Sequence, residues 1–216
     1  MKKIMFNDEF LLTKAVLEGR KTQTRRLLTL TLHKKAEIDD ELIEVYPSKV
    51  FFEDDKWKFV YDDYVFLLPK KNYPKYDVGE VVAVAQSYRD CGGVNEEGVP
   101  MWEIISQKVG GTNAGWDNKM FVRGDLMPHQ IRITNVRIER LQDISDESCL
   151  KEGIIKKWHA PACKNYYYVP GVEVKSVKDV HDTPQEAFAH LINKASRKDV
   201  WSENPYVFVY DFELIK

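Results

Sequence analysis

A helix stop followed at once by a dense group of cations is the feature of this sequence that most constrains its fold. Residues 7–18 carry apolar side chains at roughly helical spacing, which predicts an amphipathic helix capped by Asn7 or Asp8. Gly19 is predicted to end this helix in the left-handed conformation that a residue without a Cβ adopts at little energetic cost. Residues 20–26 follow directly with the sequence RKTQTRR, which contains four cations and two hydroxyls.

Crowded cations repel one another and resist desolvation, so folding alone gives no reason to place them together. Most runs of charge are solvated surfaces, and that explanation competes here with a ligand site. The position of the run favours the site, because the backbone changes direction after a helix stop and polar side chains can converge there. We predict that this turn presents a group of side chains to an anionic or polar ligand: Arg20, Thr22, Arg25 and Arg26.

The chain has 216 residues, a formal net charge of -2, 44% hydrophobic and 31% charged residues, which fits one elaborated globular domain over residues 1–216. A near-neutral charge argues against a broad basic surface of the kind that grips duplex DNA. Any contact with nucleic acid should therefore be local, around residues 20–26, with Arg132, Arg137 and Arg140 as further candidates. Aromatic residues make up 12% of the chain and leave material for stacking on bases.

The cysteines point to a reducing compartment. Cys91, Cys149 and Cys163 are odd in number and far apart, unlike a disulfide framework. His159 and Cys163 lie four residues apart, but one pair lacks the ligands of a structural zinc site, and we predict no metal or cofactor. No apolar run approaches the length of about 20 residues that spans a bilayer, and the N-terminus does not resemble a signal peptide. We therefore predict a cytoplasmic protein with no membrane segment.

The pattern along the chain predicts an α+β fold. Short aromatic and β-branched runs separated by acidic pairs predict a β-meander over residues 49–68, and a nearly continuous apolar run predicts a central strand within residues 78–88. Residues 89–124 are rich in glycine and predict a long loop, in which three aromatic side chains either close over a ligand or anchor the loop to the core. Those three are Trp102, Trp116 and Phe121.

The second half of the chain has clearer signals. Residues 131–141 alternate as a half-buried strand with one phase slip, which predicts a bulge near Asn135. A short helix is predicted from Ser145, as its cap, to Gly153, with Glu152 at its C-terminal end. Thr183 begins a capping box, and the helix after it is predicted to serve packing. Residues 204–215 predict an inner strand, since both faces are largely apolar.

Residues 19–26, GRKTQTRR, resemble the G-x-K-x-x-E-x-R motif of ASCH domains, with Thr24 in place of the glutamate. Residues 79–80, 127–144 and 204–209 are similar to segments of ASCH-domain proteins from phages and prophages, in the same order. About half of the chain is covered, and Ala85 and Gln86 depart from the Arg-Glu pair that those proteins usually carry. The resemblance implies a small PUA-like β-barrel with flanking helices and two insertions, at about 33–76 and 89–125.

The resemblance also implies a chemistry. A small bacterial ASCH enzyme that hydrolyses acetylcytidine uses motif positions similar to Lys21, Thr24 and Glu152, which would serve as base, nucleophile and acid. The base must have a lowered pKa, and neighbouring arginines at positions 20, 25 and 26 would lower it. Side chains alternate along a strand, so Lys21 and Thr24 converge only if residues 20–24 are not one straight strand.

The sequence is compatible with two leading functions from different classes and with a third, less favoured one. The first is a binding module whose cationic cleft holds RNA, a nucleotide or a modified nucleoside. The second is an amidohydrolase that removes an acyl group from a nucleobase or nucleoside. The third is a non-catalytic accessory protein that binds a partner through an apolar patch on the 49–68 hairpins.

Overall fold

A computed structural model describes residues 1–28, 30, 32–35, 42–45, 47–111, 114–176 and 179–215. The helices in these residues are α1 (Leu12–Leu17), α2 (Met101–Val109), α3 (Asp146–Lys151), α4 (Pro184–Ser196) and α5 (Val200–Glu203). The strands are β1 (Lys3–Ile4), β2 (Gln23–Leu27), β3 (Leu32–Lys35), β4 (Leu42–Val45), β5 (Lys49–Glu53), β6 (Lys56–Tyr61), β7 (Tyr64–Leu67), β8 (Val81–Val84), β9 (Gln130–Arg140), β10 (Ile155–His159), β11 (Lys164–Tyr168) and β12 (Tyr206–Leu214). The predicted α+β class is confirmed.

The largest sheet has five strands in the order β1-β8-β9-β12-β2. Strand β1 runs parallel to β8, and the other neighbours are antiparallel. The inner position predicted for the C-terminal strand is confirmed, because β12 lies between β9 and β2. The strand predicted within residues 78–88 is inner but short, and β9 takes the central place. In the part of the chain that the structure describes, the sheets do not close into the barrel that the resemblance implied.

The bulge predicted near Asn135 is confirmed. Asp211 of β12 pairs with Asn135, whereas the next residue, Phe212, pairs with Ile133. Thr134 is therefore the extra residue of β9, and the alternation of its side chains changes phase at this point.

The meander predicted over residues 49–68 is also confirmed as the antiparallel sheet β5-β6-β7. Asp54 and Asp55 form the first turn, and Asp62 and Asp63 form the second, all with positive φ between 50° and 62°. Aspartate tolerates this left-handed conformation better than most residues, which explains why acidic pairs separate the strands.

Two local predictions are wrong. Helix α1 begins at Leu12, after Leu11 in the left-handed conformation (φ 50°), and no side chain caps it. Asn7 instead accepts a hydrogen bond from the amide of Glu9 (2.9 Å), so the residues before the helix form a turn of their own. The end of the helix is as predicted, with Gly19 at φ +71°.

The second wrong prediction is the loop at 89–124, because it contains helix α2. Met101, Ile105 and Val109, four residues apart, form the side of α2 that packs with Trp116 in a small second core. Trp102 and Phe121 are exposed, so neither anchors this segment. The main core lies between the five-stranded sheet, the β5-β6-β7 sheet and α4, whose predicted capping box at Thr183 is confirmed.

Candidate functional site

The turn after Gly19 is irregular, as the convergence of Lys21 and Thr24 requires. The amides of Arg20 and Lys21 both donate to the carbonyl of Ala15, at 2.9 and 3.0 Å. Strand β2 begins only at Gln23. Residues 20–22 therefore wrap around the end of α1 before the chain becomes extended, and the objection from a straight strand does not apply.

Lys21 is almost completely buried, with 2% of its surface exposed. Its ammonium donates to Oε2 of Glu152 (2.5 Å), to the carbonyl oxygen of Glu152 (2.8 Å) and to that of Gln23 (2.8 Å). These bonds use all three of its N–H donors.

Burial is the largest influence on the pKa of Lys21 and lowers it, because desolvation disfavours the charged form. Glu152 acts in the opposite direction, while Arg26 and Arg25 lower the pKa further. From the sequence, the crowded arginines were expected to lower this pKa. The structure corrects that cause: burial matters more, and the guanidinium of Arg20 turns away to Glu18 (2.6 Å).

Glu152 reaches Lys21 because the C-terminal end of α3 packs against α1 and the start of β2. Ser145 caps α3 as predicted, and Gly153 follows Glu152 at φ +108°. A Cβ on Gly153 would lie 3.2 Å from Cδ2 of Leu12, so glycine permits this close approach. The amide of Thr22 also donates to the carbonyl of Lys151 (3.0 Å) and fixes the two segments together.

Arg25 extends the contact into a buried charge cluster. Its Nη1 donates to Oε1 of Glu152 (3.0 Å) and to Oε1 of Gln23 (2.7 Å), and its Nη2 donates to Oε1 of Glu139 (2.5 Å). Further ion pairs and hydrogen bonds continue the cluster across the sheet through Arg137 and Asp211. Arg25 is thus committed to pairing within the protein and is not presented to a ligand.

The acidic members of this cluster, Glu139 and Asp211, were not predicted from the sequence. Arg137 was predicted as a nucleic-acid contact, but it forms ion pairs with these two carboxylates. Register pairs place Val209 between Arg25 and Arg137, so these side chains share one face of the sheet. Asp211, a carboxylate flanked by apolar residues in strand β12, was the available signal, since a charge that is removed from water needs a partner.

Thr24 lies on the other face of β2 and is 5% exposed. It pairs with Tyr210 of β12 and shares its face with Arg26, two residues along the strand. The ammonium of Lys21 lies 5.8 Å from the ring centroid of Phe6, which contacts Phe212 on this same face. The structure therefore brings Lys21 and Glu152 into contact, while Thr24 lies on the face of β2 opposite to Arg25, the other cation that binds Glu152.

The remaining predicted ligand-binding residues do not converge with this cluster. Arg20 is exposed, and Thr22 is half-buried with its backbone bonded to Lys151 and Phe212. Arg132 is exposed and forms an ion pair with Glu213 (3.1 Å) outside the cluster.

Arg26 lines a surface cleft of about 330 Å³, which we call the cationic cleft. Its guanidinium donates to the carbonyl of Met5 (2.6 Å). The polar and aromatic residues that also line the cleft include Lys3, Lys71, Tyr73, Lys75, Tyr76 and Tyr210. The ammonium of Lys3 donates to the carbonyls of Met120 and Val122 (both 2.6 Å). Among the residues described, no carboxylate forms an ion pair with any of these four cations.

Two of the tyrosines that line the cleft are held in place by hydrogen bonds. The hydroxyl of Tyr76 donates to the carbonyl of Lys3 (2.9 Å), and that of Tyr210 accepts from the amide of Lys75 (2.9 Å). Burial raises the pKa of Tyr76 to about 12. Burial lowers the pKa of Lys3, and the neighbouring positive charge of Lys75 lowers it further.

In the residues that the structure describes, no group of three or more His, Cys, Asp or Glu side chains could hold a metal ion. His159 uses Nδ1 to accept a hydrogen bond from Ala162 (3.3 Å), and Cys163 is a free, exposed thiol. None of the helices described is long and apolar enough to span a membrane.

The chain matches no protein-family model, no curated protein and no solved structure. The likeness to ASCH domains rests on the sequence motifs alone.

Proposed function

We propose that this chain is an ASCH-type, PUA-like protein that binds RNA or a nucleotide in the cationic cleft. The observation that carries the proposal is a cleft lined by Lys3, Arg26, Lys71 and Lys75, none of which forms an ion pair with a carboxylate among the residues that the structure describes. Arginine and lysine are the usual partners of phosphate oxygens, and the tyrosines give a base an aromatic surface. The net charge of -2 requires such binding to be local.

The dimensions of the cleft favour a single nucleotide over a longer segment of nucleic acid. Its volume of about 330 Å³ lies at the lower end of the range for small-molecule sites, which suits one nucleotide. Tyr73 is half-buried, so its ring has surface available for stacking, whereas Tyr76 and Tyr210 are buried and form the floor. A single-stranded RNA would place one base in the cleft, and the neighbouring nucleotides would remain outside it.

Fluorescence anisotropy with a labelled single-stranded RNA tests the proposal. We expect the double variant Arg26→Ala/Lys75→Ala to bind at least about tenfold more weakly, because hydrogen bonds to charged groups contribute about 1.5–3 kcal/mol. The slope of log K against log salt should fall by about 1.4, which corresponds to two lost phosphate contacts on a single strand.

The matched control removes the same charge elsewhere. Lys14 and Arg20 are exposed and both pair with Glu18, so Lys14→Ala/Arg20→Ala changes the net charge equally without touching the cleft. This control should bind as the wild type does. Equal losses in both double variants, or none in either, would show that the cleft is not the binding site.

A second function, hydrolysis of an acyl amide on a nucleobase or nucleoside, is favoured by the contact between Lys21 and Glu152. Lys21 would take the hydroxyl proton of Thr24, whose oxygen attacks the acyl carbon. The C–N bond then breaks, and the proton passes from Lys21 through Glu152 to the departing amine. Water hydrolyses the resulting ester and regenerates Thr24.

Two features support this chemistry. The lowered pKa of Lys21 makes its neutral amine more accessible as a base. Thr24 shares its face of the sheet with Arg26, so a nucleoside in the cationic cleft lies on the same side as the Thr24 side chain.

Absorbance of acetylcytidine, followed over time, tests the hydrolase. We expect turnover that is lost in Lys21→Ala and in Thr24→Val, retained in part in Thr24→Ser, and unchanged in Arg20→Ala. Circular dichroism would confirm that each variant folds. Absence of turnover, or full turnover in Lys21→Ala, would remove this function and leave the binding proposal standing.

A further inference from the structure

In the part of the chain that the structure describes, strand β7 has an apolar edge that no other strand covers. It is the outer strand of the β5-β6-β7 sheet, and its side chains Tyr64, Val65, Phe66 and Leu67 are 70%, 59%, 45% and 59% exposed. A strand with exposed apolar residues on both faces is unusual at the edge of a sheet, because it offers a template for pairing.

The hydrogen bonds of β7 show which backbone groups are free. Tyr64 and Phe66 pair with Tyr61 and Phe59 of β6, and the amide of Leu68 donates to the carbonyl of Trp57 (2.8 Å). Alternate residues of an antiparallel strand point to opposite neighbours, so the amides and carbonyls of Val65 and Leu67 point outward. In the part of the chain described, these groups have no hydrogen-bond partner.

Natural edge strands are usually protected by an inward charge, a proline or a bulge. Residues 64–67, YVFL, contain none of these. The charges lie outside the strand: Asp62 and Asp63 precede it, and Lys70 and Lys71 follow it. One end of β7 is therefore acidic and the other basic.

We propose that β7 pairs in antiparallel fashion with β7 of a second copy of this chain, so that two three-stranded sheets join into one of six strands. Antiparallel pairing about a two-fold axis brings the acidic end of each strand to the basic end of the other. Parallel pairing would bring like charges together. The charge pattern thus selects both the partner and its direction.

The register is set by the free backbone groups. We place Phe66 of one copy opposite Phe66 of the partner subunit. In this register, Val65 of the first copy exchanges two backbone hydrogen bonds with Leu67 of the partner subunit. The two-fold axis generates a second, identical pair of hydrogen bonds. The turn that contains Asp62 then lies at the same end of the paired strands as Lys70 of the partner subunit. Phe66 stacks on Phe59 at 5.4 Å within one copy, so the two Phe66 rings would join the aromatic rows of both sheets.

Sedimentation velocity between about 1 and 100 μM protein tests the proposal, since homodimer constants in this range are readily measured. We expect the wild type to sediment as a dimer of the 25.2 kDa chain. Val65→Lys and Val65→Pro should both sediment as monomers. The proline removes only the outward amide of Val65 and leaves the bonds between β6 and β7 intact. Val78→Lys, at an exposed valine away from β7, is the matched control and should remain dimeric.

The charged ends provide an independent test. Lys70→Glu should weaken the dimer about tenfold, because two attractive contacts become repulsive. Adding Asp62→Asn removes that repulsion and should recover part of the affinity, and asparagine tolerates the positive φ at this position. Hydrogen exchange should show protection of the Val65 and Leu67 amides that rises with protein concentration.

Three results would overturn the proposal. The first is a monomeric wild type at 100 μM, which would leave the edge for an extended segment of another protein. The second is a dimer that persists in Val65→Lys and Val65→Pro. The third is a dimer whose β7 amides remain unprotected, since that dimer would use another surface.

Discussion

Lys21 donates a hydrogen bond to Glu152 across 131 positions of sequence, and both side chains are almost completely buried. Removing two charges from water opposes folding, and a buried ion pair often contributes little net stability. Here the pair is embedded in further bonds, because Glu152 also accepts from Arg25 and Lys21 also donates to two carbonyls. This arrangement joins the end of α3 to the start of β2, the two elements that carry the candidate site.

The two halves of this pair should differ in their effect on stability. Glu152→Leu leaves both Lys21 and Arg25 without their shared carboxylate, whereas Lys21→Met leaves Glu152 still paired with Arg25. Breaking a buried ion pair typically costs about 3–5 kcal/mol of stability. We expect Glu152→Leu to lower the free energy of unfolding by an amount in this range, and Lys21→Met to lower it by less. Urea unfolding followed by circular dichroism measures both.

An exposed ion pair supplies the control. Arg132→Ala removes the contact with Glu213 at the surface and should change the free energy of unfolding by less than about 1 kcal/mol. A cost for Glu152→Leu no larger than that of Arg132→Ala would contradict the burial of the Lys21–Glu152 pair.

The lowered pKa of Lys21 predicts a dependence of stability on pH. The unfolded chain holds the Lys21 proton up to about pH 10.5, its ordinary value, while the folded protein releases it at lower pH. Between the two values the unfolded state binds more protons, so the free energy of unfolding rises with pH. The wild type should therefore gain stability relative to Lys21→Met as the pH rises toward 10.5. Urea titrations of both proteins measure the difference, and a difference that falls with pH would exclude the lowered pKa.

Local chemistry made several elements predictable. The bulge at Asn135, the aspartate turns of the meander, the capping box at Thr183 and the end of α1 at Gly19 each depend on residues close in sequence. Helix α2 was missed because its spacing of Met101, Ile105 and Val109 lies between glycine-rich segments that favour a loop.

The candidate site could be predicted only in part, for a different reason. The motif around Lys21 is continuous in sequence, and the position of Glu152 followed from a short helix with a clear cap. Arg25 gave no such signal, because its partner Glu139 is set by the register of β2 and β9 against β12. Contacts of this kind depend on the pairing of distant strands, which a single sequence does not specify.

The three cysteines should react very differently. Burial raises the pKa of Cys91 and of Cys149 to about 12, from an ordinary value of 9.0, whereas Cys163 is exposed. The thiolate is the reactive form, so a thiol reagent at pH 8 should modify one cysteine in the native protein and three after denaturation. Peptide mass mapping should identify Cys163. Rapid modification of Cys91 or Cys149 without denaturant would contradict their burial.

Two glycines with similar backbone angles should respond differently to a Cβ. Gly171 (φ +78°) lies against the backbone just before α1, where a Cβ would overlap the carbonyl oxygen of Glu9, whereas a Cβ on Gly19 (φ +71°) would meet no atom within 4 Å. Gly19→Ala should cost only the strain of its left-handed conformation, about 1–2 kcal/mol. Gly171→Ala has the same strain and must also displace the backbone of Glu9 and Phe10. We expect thermal unfolding to show the larger loss for Gly171→Ala, and equal losses would mean that this contact is not formed.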